Sequence, residues 1–294
     1  MKQLLILSGK GGTGKTTVAA AFIRLAKARA FADCDVDAPN LHLLMHDLPE
    51  ADRTVYYGLP KAKIDTEQCI GCDLCRQHCR FDAIQINKNY EVDPFACEGC
   101  GVCEVVCPVG AIELKPAPAG EMMLYGDSQR IFSAAQLKMG SGTSGMLVTE
   151  VKKRLISAAP VTDLAVIDGS PGIGCPVIAS ISGVDLVLIV AEPSLSGISD
   201  LDRIVQTAAK FGTNVCVCVN KFDTNKVNAV KIEALCRAGG IAFTGRIPYD
   251  PEAVRAINNG LTLVDVDCPA GTAVREVFNG TIRLFDKKRD IQFI

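Results

Sequence analysis

The sequence predicts an α/β protein: a doubly wound, mostly parallel sheet with helices on both faces, carrying a small inserted α+β domain. Three observations predict it. Short, near-continuous apolar runs alternate with segments of helical period, as strands buried on both faces alternate with their crossover helices. A glycine-rich turn joins the first apolar run to the first helical segment. After Pro60 the composition becomes cysteine-rich and stays so until Lys115-Pro116-Ala117-Pro118-Ala119-Gly120, whose prolines and glycine punctuate a junction. The expected division is residues 1–60 and 119–294 for the large domain, with residues 61–118 inserted.

The first strand is expected over residues 4–7, followed by the glycine-rich stretch 9–14 and an alanine-rich helix over 15–28. A second strand, 29–34, ends in the acidic turn Asp33-Cys34-Asp35-Val36-Asp37. Beyond the insertion, strands are expected over 164–167, 186–191, 215–219 and 241–247, with helices over 147–157, 200–211 and 227–237. With 294 residues, 48% of them apolar, the chain has room for one large core and a small one. A net charge of −2 and a pI near 6.0 argue against a nucleic-acid partner. No apolar run approaches a membrane span, and the apolar start is too short for a signal peptide. Of fourteen cysteines eight stand at metal-like spacing, which points to a reducing compartment, so the expectation is a soluble cytoplasmic protein.

Gly9-Lys10-Gly11-Gly12-Thr13-Gly14-Lys15-Thr16 fits the phosphate-loop pattern G-x-x-x-x-G-K-[ST], with a strand before it and a helix after it. Its glycines let backbone N–H groups turn toward phosphates at the helix N-terminus. Lys15 is expected to reach the β- and γ-phosphates, and the Thr16 hydroxyl to ligate Mg²⁺. ATP and Mg²⁺ are therefore the expected ligands, held by Gly11, Gly12, Thr13, Gly14, Lys15, Thr16 and Thr17.

The cysteines form two matching runs, Cys69-x2-Cys72-x2-Cys75-x3-Cys79 and Cys97-x2-Cys100-x2-Cys103-x3-Cys107-Pro108. Two such runs are the ligand set of a bacterial-type ferredoxin with two [4Fe–4S] clusters, in which the fourth cysteine of each run ligates the other cluster. That crossover groups Cys69, Cys72, Cys75 and Cys107, and separately Cys97, Cys100, Cys103 and Cys79. Ala83-Ile84 and Ala111-Ile112, four residues past each run, fit the same internal repeat. Structural zinc is the competing reading, because C-x-x-C pairs also build zinc sites. Arg80 departs from the pattern, standing where Pro108 stands in the second run. Residues 61–115 hold nine acidic and six basic side chains, which suits a basic electron partner or simply a solvated surface.

Lys10, directly after the first glycine, makes the loop resemble that of the MinD/ParA group of P-loop ATPases, K-G-G-x-G-K-[ST]. The resemblance spans about residues 1–48 and 120–294. It implies a P-loop NTPase fold in which Lys10 reaches across a homodimer to the partner's nucleotide. In the acidic turn, Asp35 matches the carboxylate that orients the attacking water and Asp33 a group near Mg²⁺, with Asn40 at the dimer face. Asp168-Gly169-Ser170-Pro171-Gly172-Ile173-Gly174 resembles the Walker B segment and second switch. Asp168 would hold a Mg²⁺-bound water and Gly172 would turn its N–H toward the γ-phosphate. Asn220 matches the adenine-reading asparagine, and Pro248-Tyr249-Asp250 the loop against the base.

With its eight inserted cysteines, the whole chain resembles a MinD-superfamily ATPase carrying a two-cluster ferredoxin domain, related to the nitrogenase iron protein and Mrp-type iron–sulfur carriers. The implied activity is ATP hydrolysis in a homodimer, coupled to electron transfer or to metallocofactor maturation of a partner. A MinD/ParA-like spatial organiser with redox-sensing clusters, and a passive iron–sulfur carrier, are the alternatives. Residues 286–294 place Asp286 and Asp290 among basic residues and read as a solvated chain end, not a membrane anchor. Cys175 is expected to be a small buried packing residue, although the nitrogenase iron protein ligates a cluster from a comparable position. Cys34, Cys216, Cys218, Cys236 and Cys268 read as structural. His42, His46 and His78 lack metal spacing.

Overall fold

The computed structural model describes residues 1–45 and 48–286. The chain runs β1 (Lys2–Leu7), α1 (Lys15–Ala26), β2 (Ala30–Asp33), β3 (Asp52–Tyr57), β4 (Lys61–Ile64), α2 (Leu74–Gln77), β5 (Ile84–Ile86), β6 (Tyr90–Val92), α3 (Val102–Val105), β7 (Ile112–Lys115), β8 (Pro118–Gly126) and β9 (Ile131–Leu137). It continues with α4 (Ser144–Ala158), β10 (Leu164–Asp168), α5 (Cys175–Ile181), β11 (Leu186–Ala191), α6 (Leu195–Lys210), β12 (Asn214–Asn220), α7 (Lys226–Ala238), β13 (Ala242–Ile247), α8 (Pro251–Asn258) and α9 (Pro269–Asp286).

Among the described residues, nine strands form one sheet in the order β13-β12-β11-β1-β10-β2-β9-β8-β3. Its body, from β13 to β9, is parallel. Strand alternation sorts β1 between two cores. Leu4 and Ile6 join Phe22 of α1 and Val274 of α9 on one face; Leu5 and Leu7 join Leu147 of α4, Ile181 of α5 and Ile204 of α6 on the other. All four leucine and isoleucine side chains of β1 are fully buried, which explains the continuous apolar run. The carboxyl ends of β1, β2 and β10 thus open at one edge of the sheet, where open α/β sheets hold their ligands.

Three strands, β3, β8 and β9, lie where no strand is expected. β3 reads Asp-Arg-Thr-Val-Tyr-Tyr and buries Tyr56 alone, so it carries little apolar signal. β8 contains the proline and glycine that read as a junction, and the sheet resumes at Pro118, one residue before the expected boundary. β3 and β8 pair antiparallel, with Tyr57 opposite Pro118, and β8 pairs antiparallel with β9. Residues 61–115 therefore leave from the tip of a hairpin at the sheet's edge. Their neck is the β4–β7 pair, Lys61 opposite Lys115, and their interior is a separate small cluster that includes Ala62, Ala83, Ile84 and Ile112.

Helix α1 stops at Ala26, short of the expected 28, because Lys27 turns left-handed at φ 48°. Helix α6 starts at Leu195, earlier than expected, where the Ser194 side chain accepts a bond from the Gly197 N–H and caps it. No helix among the described residues is long and apolar enough to cross a membrane. His46 and the chain end at 287–294 lie outside the described residues.

Candidate functional site

The loop after β1 enters α1 through Gly14, which has φ 88°. A Cβ there would meet Asn220 Nδ2 at 2.3 Å, so both backbone conformation and space require glycine. No side chain caps α1, which leaves the N–H groups of its first turn directed at the cleft in front of it. That cleft, of about 440 Å³, is lined by residues 10–17, Asp35, Asn40, Pro171, Asn220, Lys221, Pro248, Tyr249 and Asp250. Ala253, Val254, Ile257, Leu263 and Ala270, from α8, α9 and the segment between them, complete an apolar wall opposite the loop. Sequence reading missed this wall because these apolar residues carry no motif.

At the cleft floor, Lys15 Nζ donates to Asp168 Oδ1 at 2.6 Å and to Thr16 Oγ1 at 3.3 Å. Lys15 and Asp168 are both buried. Burial alone would lower the lysine's pKa, but the Asp168 carboxylate overrides it and holds the ammonium charged. Burial and the Asp168 charge push Asp33 upward, against the Lys15 charge. Asp33 accepts the N–H groups of Asp35, Asn40 and Leu41, so it shapes the acidic turn from behind. The turn is laced to β10 as well, through the Cys34 N–H on the Asp168 carbonyl at 2.7 Å and the Ser170 hydroxyl on the Cys34 carbonyl.

Two buried oxygens at this floor, Asp168 Oδ2 and Thr13 Oγ1, have no hydrogen-bond partner. An orphaned buried polar atom costs about 1–3 kcal/mol, and a hydrated cation with phosphate would satisfy both. Thr16, Asp168 and, behind them, Asp33 supply the hard oxygen chemistry that suits Mg²⁺. The residues present therefore fit Mg·ATP.

Three of the expected site residues make bonds within the chain that their motifs do not announce. Gly172, at φ 98°, donates its N–H to the Ser8 carbonyl at 3.0 Å, so that amide is not turned toward a phosphate. Asp250 accepts the N–H groups of Glu252 and Ala270, which makes its carboxylate a cap for α8 and a tie to α9. Lys10 pairs within its own chain: Nζ lies 2.5 Å from Glu192 Oε2 and donates to Ser194 and Ser196 Oγ at 3.2 and 3.3 Å. Sequence reading missed Glu192, a single acid after β11 with no pattern around it. Asn220 donates to the Thr13 carbonyl at 2.7 Å and accepts from the Lys221 N–H, leaving one amide hydrogen for a ligand.

The insertion brings its cysteines together as two sets. One void is lined by Cys69, Cys72, Cys75 and Cys107, the other by Cys79, Cys97, Cys100 and Cys103. The two halves share a set of backbone bonds. The Cys69 and Cys97 N–H groups donate to the Asp65 and Asp93 carbonyls, and the Asp65 and Asp93 N–H groups cross to the Ala111 and Ala83 carbonyls. Left-handed Gly71 and Gly99 turn the chain within each run so that its thiols face inward. The Ala111 N–H points at Cys107 Sγ at 3.3 Å. Among the described residues no three His, Cys, Asp or Glu side chains converge on one ion. A four-iron cube takes one thiolate at each of four corners, so its ligands stand around a volume and need not converge. The donor sets fit such a group.

Cys175 is exposed at the start of α5, contrary to the expected buried role, with Gly145 of α4 close to its Cβ on one side. Cys34, Cys216, Cys218, Cys236 and Cys268 are buried. Burial pushes the Cys34 and Cys216 thiols up to about 12, far from thiolate chemistry.

The profile of the CobQ/CobB/MinD/ParA nucleotide-binding domain matches residues 4–264. An uncharacterized protein of Methanocaldococcus jannaschii is 30% identical over 94% of this chain and 95% of its own length. An iron–sulfur cluster carrier protein of Pyrococcus horikoshii is 24% identical over 99% of this chain and 88% of its own. In fold, the chain is similar to the septum site-determining protein MinD of Pyrococcus horikoshii, solved with Mg-ADP, with a TM-score of 0.58, 17% identity and 98% of each chain covered. The chain belongs to the CobQ/CobB/MinD/ParA family of nucleotide-binding P-loop ATPases.

Proposed function

We propose that this protein is an ATP-driven iron–sulfur protein. It binds and hydrolyses Mg·ATP in the cleft as a homodimer and holds two [4Fe–4S] clusters in the insertion. Its nucleotide state gates the transfer of electrons, or the delivery of a cluster or metallocofactor, to a protein partner. The observation that carries this reading is the sorting of eight cysteines into two four-thiol walls, in the crossover that two cubes require.

Each residue of the cleft has a task in this scheme. Lys15 and the first-turn N–H groups of α1 hold the phosphates, Thr16 and Asp168 hold Mg²⁺, and Asp35 faces the cleft as the carboxylate that orients water. Asp33 keeps Asp35 in place through the turn's backbone. Asn220 and the Pro248-Tyr249-Asp250 loop form the end where a base fits. When bound, the clusters supply one-electron redox chemistry; the cysteines hold them and the surrounding apolar side chains limit water.

The test is anaerobic reconstitution followed by iron and sulfide analysis, with reduction potentials titrated by EPR with and without Mg·ATP. About eight iron atoms per chain are expected. A nucleotide-dependent shift of about 59 mV corresponds to tenfold coupling. Absence of iron would sink the reading. A passive carrier is the second reading, favoured by the printed name of the Pyrococcus relative. A Lys10→Ala variant separates the two: a passive carrier keeps cluster transfer after losing ATP turnover, whereas a gated protein loses both.

A further inference from the structure

The two cysteine sets are not equivalent in their surroundings. The second set sits at the neck of the insertion. Lys61 Nζ donates to the Cys97 carbonyl there, and a Cβ on Gly99 would stand 2.2 Å from the Pro60 carbonyl oxygen. Both voids are walled by the insertion alone, but only beside the second set do Phe95 and Glu98 also line a cleft shared with the large domain.

Beside the second set lies residues 138–143, the loop from β9 to α4. At its start, the Leu137 N–H donates to the Val36 carbonyl at 2.8 Å, between Asp35 and Asp37 of the acidic turn. At its end, Gly145 in the first turn of α4 approaches Cys175, where an added Cβ would lie 3.2 Å from the Cys175 Cβ. Cys175 directly follows the 168–174 turn. In the middle of the loop, Gly140 at φ 79° takes the Phe95 ring against its backbone, with room for a Cβ only 3.0 Å from the ring. Gly142 lies beside the Glu98 carboxylate, 3.6 Å from a Cβ position. Phe95 and Glu98 flank Cys97. A cleft of about 240 Å³ between the insertion and the sheet is lined by this loop and by Phe95 and Glu98.

The segment 137–145 therefore runs from a backbone bond with the acidic turn, past Phe95 and Glu98 beside the second cysteine set, to Cys175 at the end of the 168–174 turn. We infer that residues 138–143 transmit nucleotide state to the set Cys79, Cys97, Cys100 and Cys103 through Phe95, and that the first set lies outside this path. The inference rests on the proposed function, since it takes ATP and the clusters as the two ends. The 33–37 turn or the 168–174 turn, on closing over a phosphate, pulls on one end of this segment, and its glycines pass the movement to the Phe95 ring, which touches Gly140 along one edge. Packed elements shift between discrete arrangements, which is how a small displacement can be carried over this distance.

The test is hydrogen–deuterium exchange, resolved by peptide, on the anaerobically reconstituted full chain with and without a non-hydrolysable ATP analogue and Mg²⁺. Residues 9–17 report binding. The expected result is an exchange rate at 94–101 altered about fivefold or more, an ordinary allosteric coupling, with 66–77 unaltered. Phe95→Ala should erase the change at 94–101 and leave protection at 9–17 intact. Phe95 is 72% exposed, so its removal spares the core. A response at 66–77 equal to that at 94–101, or none at 94–101 while 9–17 is protected, overturns the inference and leaves the proposed function standing. No protection at 9–17 overturns both. The comparison of the two segments in the unaltered protein decides the matter even where Phe95→Ala loses iron.

Discussion

Replacing Glu192 with glutamine removes a charge that Lys10 must leave if it is to reach a partner's nucleotide. In the structure Lys10 Nζ lies 2.5 Å from Glu192 Oε2, with the side chains 36% and 24% exposed. Pairs this exposed are worth about 0.2–1 kcal/mol after screening. A symmetric dimer opens two of them, so the pairs oppose dimerisation by about 0.4–2 kcal/mol, a factor of about two to thirty in the dimer constant. Glu192→Gln is therefore expected to tighten the ATP-dependent dimer by that factor, with the gain shrinking as salt rises. Sedimentation equilibrium with a non-hydrolysable ATP analogue at two ionic strengths measures it. Lys10→Ala serves as the reference and should show no ATP-dependent dimer. A dimer in Glu192→Gln that is unchanged or weaker than in the unaltered protein would refute the reasoning.

Gly14→Ala should lose ATP binding by calorimetry and destabilise the protein by about 2–4 kcal/mol in urea. Its Cβ forces a left-handed alanine and displaces Asn220 from the Thr13 carbonyl. Lys152 is buried and donates to the carbonyls of Ala179, Ser180 and Ser182 at the end of α5, and burial lowers its pKa. Between that lowered value and 10.5 the unfolded chain binds the extra proton, so this lysine's contribution to stability rises with pH; the stability difference from Lys152→Met should grow on alkaline titration. Cys72→Ser should reduce the iron of reconstituted protein from about eight to about four per chain, whereas Cys175→Ala should leave it unchanged. Replacing residues 61–115 with a short turn should leave a folded, ATP-binding domain by circular dichroism and calorimetry, because Tyr57 and Pro118 already face each other in β3 and β8.

The parallel body of the sheet was legible because its strands are buried on both faces and must be apolar throughout; Leu186–Ala191 is buried at every position. The phosphate loop was legible because a backbone cradle needs glycine, and the cysteine sets because the repeat in spacing carries the crossover. What stayed hidden depends on contacts far apart in the chain. β9 reads Ile-Phe-Ser-Ala-Ala-Gln-Leu, and its small residues are packed by α4, an element that local propensity does not see. Gly172 was expected to face a phosphate; its bond to Ser8 arises from β1 and β10 lying side by side. Cys175 follows a glycine-rich turn, and its exposure depends on how α5 packs beside α4, which local sequence does not carry.

Position in the sheet explains how a cysteine domain can be added without cost to the nucleotide fold. β8 and β3 lie at the end of the strand order, beyond the parallel body, so a domain leaving from their tip breaks no ladder of the core. The β4–β7 pair closes the insertion at Lys61 and Lys115, so the large domain meets it as a short loop whatever its length. Yet the same edge is near the chemistry: β8 pairs with β9, β9 with β2, and β2 ends in Asp33, one ladder from Asp168 on β10. By strand order alone the opposite edge is no farther, because β10 stands at the middle of the nine strands; what the hairpin edge adds is β9, whose Leu137 N–H bonds the Val36 carbonyl of the acidic turn. The hairpin edge therefore joins tolerance of an insertion to a direct bond with the 33–37 turn, and in the coupling inferred above that bond is where the path from nucleotide to cysteines begins.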